Sequence, residues 1–549
     1  MIETIAAILR KALLSSDPKV TNCENREHGH YTTNIAMQAA KERGVNPREM
    51  AEEMVKLITE AAPENFFFSV EIAGPGFINF RLSDQAIETE WKKVFIEGYG
   101  TSKIGEGKTV VVDYSAPNIA KPMSVGHLRS TVIGAAIVNL YRAEGYNVIG
   151  DNHLGDWGTQ FGMLISAYKR WLDKDEYEKD PIGHLVSLYI RFNKEAKEDE
   201  LMMDEARAET AKLQKGDPDN TALWKEFVEV SLKAFQKIYD RLGVSFEYAH
   251  GESFYQPMLA GIVEEAIKKG ITKEEDGAIK IDFNDEKVPP TVIRKKDGSY
   301  LYATTDLATI KYRKETWNPE KVLYVIANEQ ALHMAQVFRA SEMLGYSEGI
   351  EMKHVKFGMM LGESGKKFST RKGEFIKLED LLNRATEEAS KINPDSAEDV
   401  GIGAVKYFDL SHQRLSDIIF DWDSVLNLKG NSAPYLQYTY SRLRNIGRKN
   451  EALSGILDIS RLGDIEKNAI ASFIQYPDAI HYAAENCEPN HLCDYLFRLA
   501  DTMNGFYENC PITGEEKEKA EARLAVAEAG ALILKSGLAI LGIRTPEKM

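Results

Sequence analysis

Residues 109–113 read Thr-Val-Val-Val-Asp, an apolar run with no polar alternation. Such a strand has to be covered on both faces, and a parallel sheet flanked by helices is the arrangement that does this. The sequence after it agrees. A loop, APNIAKPMSVGH, leads into a helical pattern from about Leu128 to Glu144 with Ile133, Ile137, Leu140 and Tyr141 inward. Gly145 ends the pattern and NVIGD opens a second strand. Strand, loop, helix and strand make the doubly wound α/β unit. Strand-like VLYVIA (322–327) and HVKFGMML (354–361) resume the sheet, after mixed sequence from about 160 to 290 that reads as an insertion.

With 549 residues the chain is long for one core, and three or more domains are expected. The first 105 or so residues read as a small α+β unit. An amphipathic opening helix carries Ile5, Ile8, Leu9 and Leu13 on one face, and a second helix from Asn46-Pro47 buries Met50, Met54, Leu57 and Ile58. Strands 66–72 and 77–82 follow, about the turn Gly74-Pro75-Gly76. Residues 106–400 hold the α/β core, and 401–549 read as nearly all helical. Glu3, Arg10 and Lys11 break the apolar stretch a signal peptide needs, and no run approaches the roughly 18 apolar residues of a membrane span. A cytoplasmic chain without membrane contact is expected, with Cys23, Cys487, Cys493 and Cys510 as free thiols. Cys487, His491 and Cys493 fit no standard zinc spacing, so no metal site is expected.

Several segments carry chemistry. Gly126-His127 stands at a helix start, where unpaired N–H groups and the dipole favour phosphate; a bare glycine lets a nucleotide lie against the backbone, and His127 can donate a hydrogen bond. Lys366-Lys367-Phe368-Ser369-Thr370-Arg371-Lys372 could close over a triphosphate, or be a solvated basic turn. Phe77, Asn79 and Arg81 share one strand face, fit for stacking a base or for a half-covered edge. In the helical stretch APYLQYTYSRLRNIGRK, Leu436, Tyr440 and Leu443 form one face. Tyr435, Tyr438, Arg442, Asn445 and Lys449 form another, as core tyrosines or as a platform for splayed bases. The net charge of −16 does not exclude a nucleic acid, because phosphate contact needs only a local basic track. Gly107-Lys108-Thr109 imitates the end of a P-loop, but it precedes its strand and has Ser102 where a glycine is required.

Taken together, SAPNIAKPMSVGHLRS (115–130), NHLGDWGTQFG (152–162), GESFY (251–255), YATTDLA (302–308), NEQALHMAQ (328–336), KFSTRKG (367–373), the FDWDSVLNLKGNSAPYLQYTYSRLRNI stretch (420–446) and the terminal GIRTPEKM resemble the class I arginyl-tRNA synthetases. The resemblance runs in order and reaches both ends. It implies a multidomain α/β protein: a Rossmann-type catalytic core, an N-terminal α+β domain at the tRNA D-loop and a C-terminal all-α anticodon-binding domain. It implies ATP contact by Ser124, Gly126, His127, Lys367 and Ser369, with Lys367, Arg371 and Lys121 on the phosphates. Glu252, Tyr302 and Asp306 match positions that hold the guanidinium, Asp113 and Asn118 those near the α-amino group, and Gln330 a substrate-pocket glutamine. Phe77 and Asn79 match D-loop contacts; Tyr435, Tyr438, Arg442 and Met549 lie where the anticodon loop packs. The implied substrates are arginine, its tRNA and ATP with Mg²⁺, with no prosthetic group, and a monomer fits the family.

The chemistry of the residues agrees. A guanidinium is planar, permanently charged and carries five donors, so its pocket needs fixed carboxylates, and lysine cannot reproduce the fork. The implied reaction has two steps. Arginine's carboxylate attacks the α-phosphate of ATP, and the terminal ribose 2′-OH of the tRNA then attacks the adenylate carbonyl. Two positions depart from the family signatures. Ser124 replaces the first histidine of HIGH and Phe368 the methionine of KMSKS. Serine still donates a hydrogen bond, so activity is expected to persist with weaker ATP binding. A synthetase for another amino acid and a non-catalytic tRNA-binding relative are the competing readings; the Glu252, Tyr302, Asp306 set argues against the first and a charging assay tests the second.

Overall fold

The computed structural model describes residues 1–13, 18–23, 28–285, 287–362, 365, 376–448 and 459–549. The opening helix Ile2–Leu13 buries Ile5, Ile8 and Leu9. It packs beside an antiparallel sheet of β1 (Val20–Asn22), β2 (Tyr31–Thr33), β3 (Phe67–Ala73) and β4 (Phe77–Leu82), in the order β1-β2-β4-β3. Helix Pro47–Ala61 begins as the sequence predicts, with Asn46 Oδ1 accepting from Arg48 N at 2.9 Å and Pro47 in the first turn. Met50, Met54 and Ile58 are buried, but Leu57 points outward. β4 is an inner strand, which changes the reading of its outer face. Phe77 is exposed, whereas Asn79 is buried between Thr32 and Glu71 of the flanking strands, its Oδ1 accepting from Thr32 Oγ1 at 2.7 Å.

The apolar run at 109–113 is β5 (Thr109–Asp113), and Val110, Val111 and Val112 are fully buried. Helix Val125–Ala143 follows and is buried nearly all round, as a crossover between two layers must be. It returns the chain to β6 (Asn147–Asp151), parallel to β5. Helices Thr159–Trp171, Pro181–Glu195, Glu200–Gln214 and Pro218–Leu242 come next, then a small antiparallel sheet of β7 (Thr272–Glu275), β8 (Ala278–Ile281) and β9 (Thr291–Arg294). Helix Tyr302–Trp317 leads to β10 (Lys321–Tyr324), and helix Ala331–Leu344 to β11 (Glu351–His354). The core sheet is wholly parallel in the order β11-β10-β5-β6. The chain therefore winds outward in opposite directions from β5 and β10, and the crevice beyond their carboxyl ends is the topological switch point where such sheets bind ligands.

The expected strand 354–361 is split. β11 stops at His354, and Met360–Leu361 forms a separate strand, β12, paired in parallel with β13 (Ile418–Ile419). Between them Gly358 is clamped: its N–H donates to Arg414 O, its carbonyl accepts from Arg129 Nη1 at 2.7 Å, and a Cβ would sit 2.6 Å from Ser416. Helices Ala397–Leu410, Ala433–Arg448, Asp464–Ile474, Tyr476–Asn486, Asn490–Asn509 and Lys517–Ile540 build the C-terminal region, with Leu436, Tyr440 and Leu443 in its core. Among the described residues no helix is long and apolar enough to cross a membrane.

Candidate active site

The β5 turn into helix Val125–Ala143 is conformationally expensive. Ser115, Ala116 and Ala120 all have left-handed backbones (φ +76°, +48° and +58°), which side-chain-bearing residues hold only when neighbours insist. Those neighbours are polar pins. Ser115 N donates to Ser130 Oγ, and Ser115 Oγ meets Thr131 Oγ1 and Tyr239 OH, each at 2.9 Å. Ala116 N donates to Asn152 Oδ1 at 3.0 Å, and Ala120 N to Ser231 Oγ at 2.9 Å. Ser231 and Tyr239 belong to the inserted helix Pro218–Leu242, so the insertion braces this loop.

The loop delivers Ser124 as the residue preceding the helix. His127 Nδ1 accepts from Ser124 N at 3.0 Å and lies 3.1 Å from Ser124 Oγ. Burial holds the imidazole below its ordinary pKa, with Lys121 adding repulsion. A neutral ring accepting at Nδ1 carries its proton on Nε2, so His127 is set up as an uncharged donor. Gly126 is exposed, and a Cβ there would meet only Ser124 Oγ at 3.4 Å; the bare surface faces outward. Lys121 is exposed and rests its ammonium 5.4 Å from the Tyr189 ring centroid, not on the helix start. Lys367, Ser369 and Arg371 lie outside the described residues, as do Lys366, Phe368 and Lys372. The chain emerging after them is tied to the site, since Leu378 N donates to Met123 O at 2.8 Å and Lys377 bridges Ser124.

A cluster of acids stands on segments tied to the β5 loop, for Asn118 bridges Gly155 and Glu252 N donates to Leu154 O. Glu252 opens the short helix Glu252–Tyr255; Tyr302 opens helix Tyr302–Trp317, and Asp306 stands one turn further in. Burial first, then the charges of Asp156 and Asp306, push the Glu252 carboxyl up to about 8. Tyr302 is largely exposed, and burial and Glu252 raise its phenol. Asp306 Oδ2 is held by His333 Nε2 at 2.6 Å, an interaction that raises the imidazole pKa. Asp156 is buried and accepts from Ser253 N (2.8 Å) and Ser253 Oγ (2.6 Å). Gly251 has to be glycine for this, because a Cβ would lie 2.3 Å from the Asp156 carboxyl. Asp156 and His333 were not singled out in the sequence. His333 stands one helical turn beyond Gln330 inside NEQALHMAQ, and that spacing was the available signal.

Asp113, Asn118 and Gln330 complete the expected arginine set. Asp113 is buried at the end of β5, where Arg313 Nη2 donates to it at 2.7 Å and to Asp151 at 2.8 Å. It is the wall of the crevice and not an open acceptor, because a buried arginine needs two carboxylates there. Asn118 is exposed in a short parallel bridge with Gly155, its carbonyl oxygen where a Gly155 side chain would be. Gln330 is exposed at the start of helix Ala331–Leu344, beyond the end of β10.

A second candidate site lies in the helical region. A cavity of about 320 Å³ is lined by Tyr438, Ser441, Arg442, Asn445, Tyr507 and Met549. The Arg442 guanidinium stacks on both Tyr438 (4.8 Å) and Tyr507 (4.6 Å) and donates to Asn504 Oδ1 at 3.1 Å. Tyr435 is half-buried, its hydroxyl accepting from Asn504 Nδ2 at 3.0 Å. Tyr507, some sixty residues downstream of Arg442 on another helix, gave no signal in sequence.

Three family models match the chain: the arginyl tRNA synthetase N-terminal domain over residues 1–82, the class I (R) tRNA synthetase catalytic domain over 92–422 and the DALR anticodon binding domain over 436–549. The arginine–tRNA ligase of Fusobacterium nucleatum is 43% identical, covering 97% of this chain and 95% of its own. That of Alkaliphilus metalliredigens is 42% identical over 92% and 91%. The crystal structure of Plasmodium falciparum arginyl-tRNA synthetase superposes with a TM-score of 0.85 at 30% identity, covering 100% of this chain and 99% of that one.

Proposed function

The chain belongs to the class I arginyl-tRNA synthetases and joins arginine to tRNA with ATP, and from that premise we propose how its residues divide the work. The guanidinium enters between Glu252 and Asp306 under the Tyr302 ring, with Gln330 near the mouth and Asn118 near the α-amino end. ATP, bringing its Mg²⁺, lies over Ser124, Gly126 and the helix start, with His127 Nε2 donating to a phosphate oxygen. Lys121, Lys367, Ser369 and Arg371 neutralise the triphosphate. No enzyme nucleophile takes part. Positioning and charge neutralisation carry attack of the arginine carboxylate on the α-phosphate, then attack of the terminal ribose hydroxyl on the adenylate. Phe77 stacks at the D-loop, with Asn79 ordering the strand beside it; Tyr435, Tyr438, Arg442 and Met549 take the anticodon loop. The working form is a cytoplasmic monomer.

The observation that carries this reading is the acid cluster. Asp156, Glu252 and Asp306 are buried or half-buried carboxyls, and burial, with the charges of the other two added, makes Glu252 hold its proton to about 8. Such a cavity is completed by a cation, and a forked cation satisfies two acceptors at once. The test is charging of tRNA with each amino acid by the purified protein, alongside Asp306→Ala. Arginine alone should be attached, and the variant should lose on the order of 100-fold in kcat/KM for arginine. An Asp306→Ala enzyme that charges arginine normally would overturn the assignment.

A further inference from the structure

The three acids of the cluster are not equally free. Asp306 is held by His333, and no cation or donor among the described residues meets the Glu252 carboxyl. Asp156 is already spent: it is buried, and its two oxygens accept from Ser253 N at 2.8 Å and Ser253 Oγ at 2.6 Å. With both oxygens engaged it is not the bidentate acceptor a guanidinium needs. Its grip falls instead on the backbone around Glu252. The carboxyl lies against Gly251, where a Cβ would come within 2.3 Å, and Glu252 N donates to Leu154 O at 3.0 Å, two residues before Asp156. The holding segment is itself clamped on both sides. Ile119 N, in the loop after β5, donates to Gly155 O at 3.1 Å, and Trp224 Nε1 of the inserted helix donates to Asp156 O at 2.7 Å. An asparagine could cap Ser253 N without a charge. The charge of Asp156, added to that of Asp306, instead makes Glu252 harder to ionise until a cation arrives.

We propose that Asp156 is a positioning residue that sets the specificity of the arginine pocket: it fixes Glu252 through Ser253, and its negative charge selects a cationic side-chain end over a neutral one of the same shape. The proposal rests on the reading of Glu252 as a guanidinium ligand. A charge held in place acts on a bound cation without touching it, and inside a protein that action reaches several ångströms. The neutral urea end of citrulline fills the same volume and takes hydrogen bonds, but it gains nothing from that charge. The groups that set the field on Glu252 are Asp156 and Asp306, with His333 paired to Asp306, His153 acting on Asp156, and the Tyr302 phenol.

The test compares the wild type with Asp156→Asn, which keeps an acceptor for Ser253 N and removes the charge, and with Ser253→Ala, which keeps the charge and removes one tie. KM and kcat are measured for arginine, and the inhibition constant for citrulline, at about pH 9, above the Glu252 titration. Asp156→Asn should raise KM for arginine on the order of tenfold, with kcat within about twofold and the citrulline constant unchanged. Its arginine affinity should also level off below the pH of about 8 set by the wild-type Glu252, because one repelling charge is gone. Ser253→Ala should raise KM for arginine about threefold, through a loosened Glu252. Equal losses for arginine and citrulline in Asp156→Asn would reveal a purely structural role and overturn the proposal, as would an unchanged KM. Should Asp156→Asn not fold, Ser253→Ala decides alone, since wild-type kinetics there would equally overturn it. An unchanged KM for arginine in Glu252→Gln would instead remove the reading beneath it.

Discussion

At the scale of single residues the site is an exercise in holding protons where they are useful. His127 is neutral because burial disfavours its cation, and it is oriented because Ser124 N occupies Nδ1. His127→Ala should therefore lower kcat about 100-fold, the usual loss for one preorganised donor, with stability changing by about 1 kcal/mol or less; a thermal melt and steady-state kinetics check both. Glu252 works the other way. In the empty site it keeps its proton to about 8, against 4.5 for an ordinary glutamate. Between those values the folded protein holds a proton that the unfolded chain releases, so this group's contribution to stability falls as pH rises through that window. Arginine binding reverses this by drawing out the carboxylate. Arginine affinity should thus rise with pH by up to tenfold per unit below about 8 and level off above it. His333 adds in the same direction, since its pairing with Asp306 raises its pKa and its cation opposes the guanidinium. Titration calorimetry at several pH values should show proton release on binding; a flat profile would exclude Glu252 from the pocket.

At the scale of elements, the decisive contact is between the inserted helix Pro218–Leu242 and the left-handed loop 115–120. Ser231 Oγ and Tyr239 OH reach the loop's strained positions across more than a hundred residues of sequence. Ser231→Ala leaves Ala120 N without its acceptor, a penalty of about 1–3 kcal/mol for a buried donor. Part of that strain is expected to relax by letting the loop move, so kcat should fall about tenfold while the global melting temperature drops only slightly. A variant with the wild-type kcat would show that the loop holds its shape unaided. The motif SAPNIAKPMSVGH was readable in one dimension as a phosphate-facing turn, but its braces were not. Serine and tyrosine hydroxyls in a helical stretch look alike whether they face solvent or another chain segment.

On the scale of the whole molecule, helix Ala397–Leu410 joins the catalytic and helical regions. Its Asp409 receives the buried Arg129 at 2.9 Å, half a turn after His127, and the same guanidinium holds the carbonyls of Gly358 and Ser416. Its Lys406 donates to the carbonyls of Leu242 and Gly542, at the ends of the inserted helix and the last long helix. Arg129→Met would leave Asp409 charged and unpartnered in the interior, a loss of about 3–5 kcal/mol. Denaturant unfolding should show that loss, and a cost below about 1 kcal/mol would mean that water or another donor replaces the arginine.

Periodicity and composition alone determined the class of fold: a run such as TVVVD cannot be half-exposed, and the spacing of Leu436, Tyr440 and Leu443 leaves a helix one face to bury. Local chemistry likewise marked Gly126 and His127, because phosphate recognition favours a bare backbone and a donor at a helix start, whereas Ser124, Glu252 and Asp306 were marked by the family resemblance. Only the tertiary structure decided which polar groups are open and which are spent. Asp113 is taken by Arg313, Asn79 by Thr32, and His333, Asp156 and Tyr507 join sites from distant segments. Hydrogen-bond partners are chosen by proximity in space, and linear order carries almost no record of that choice.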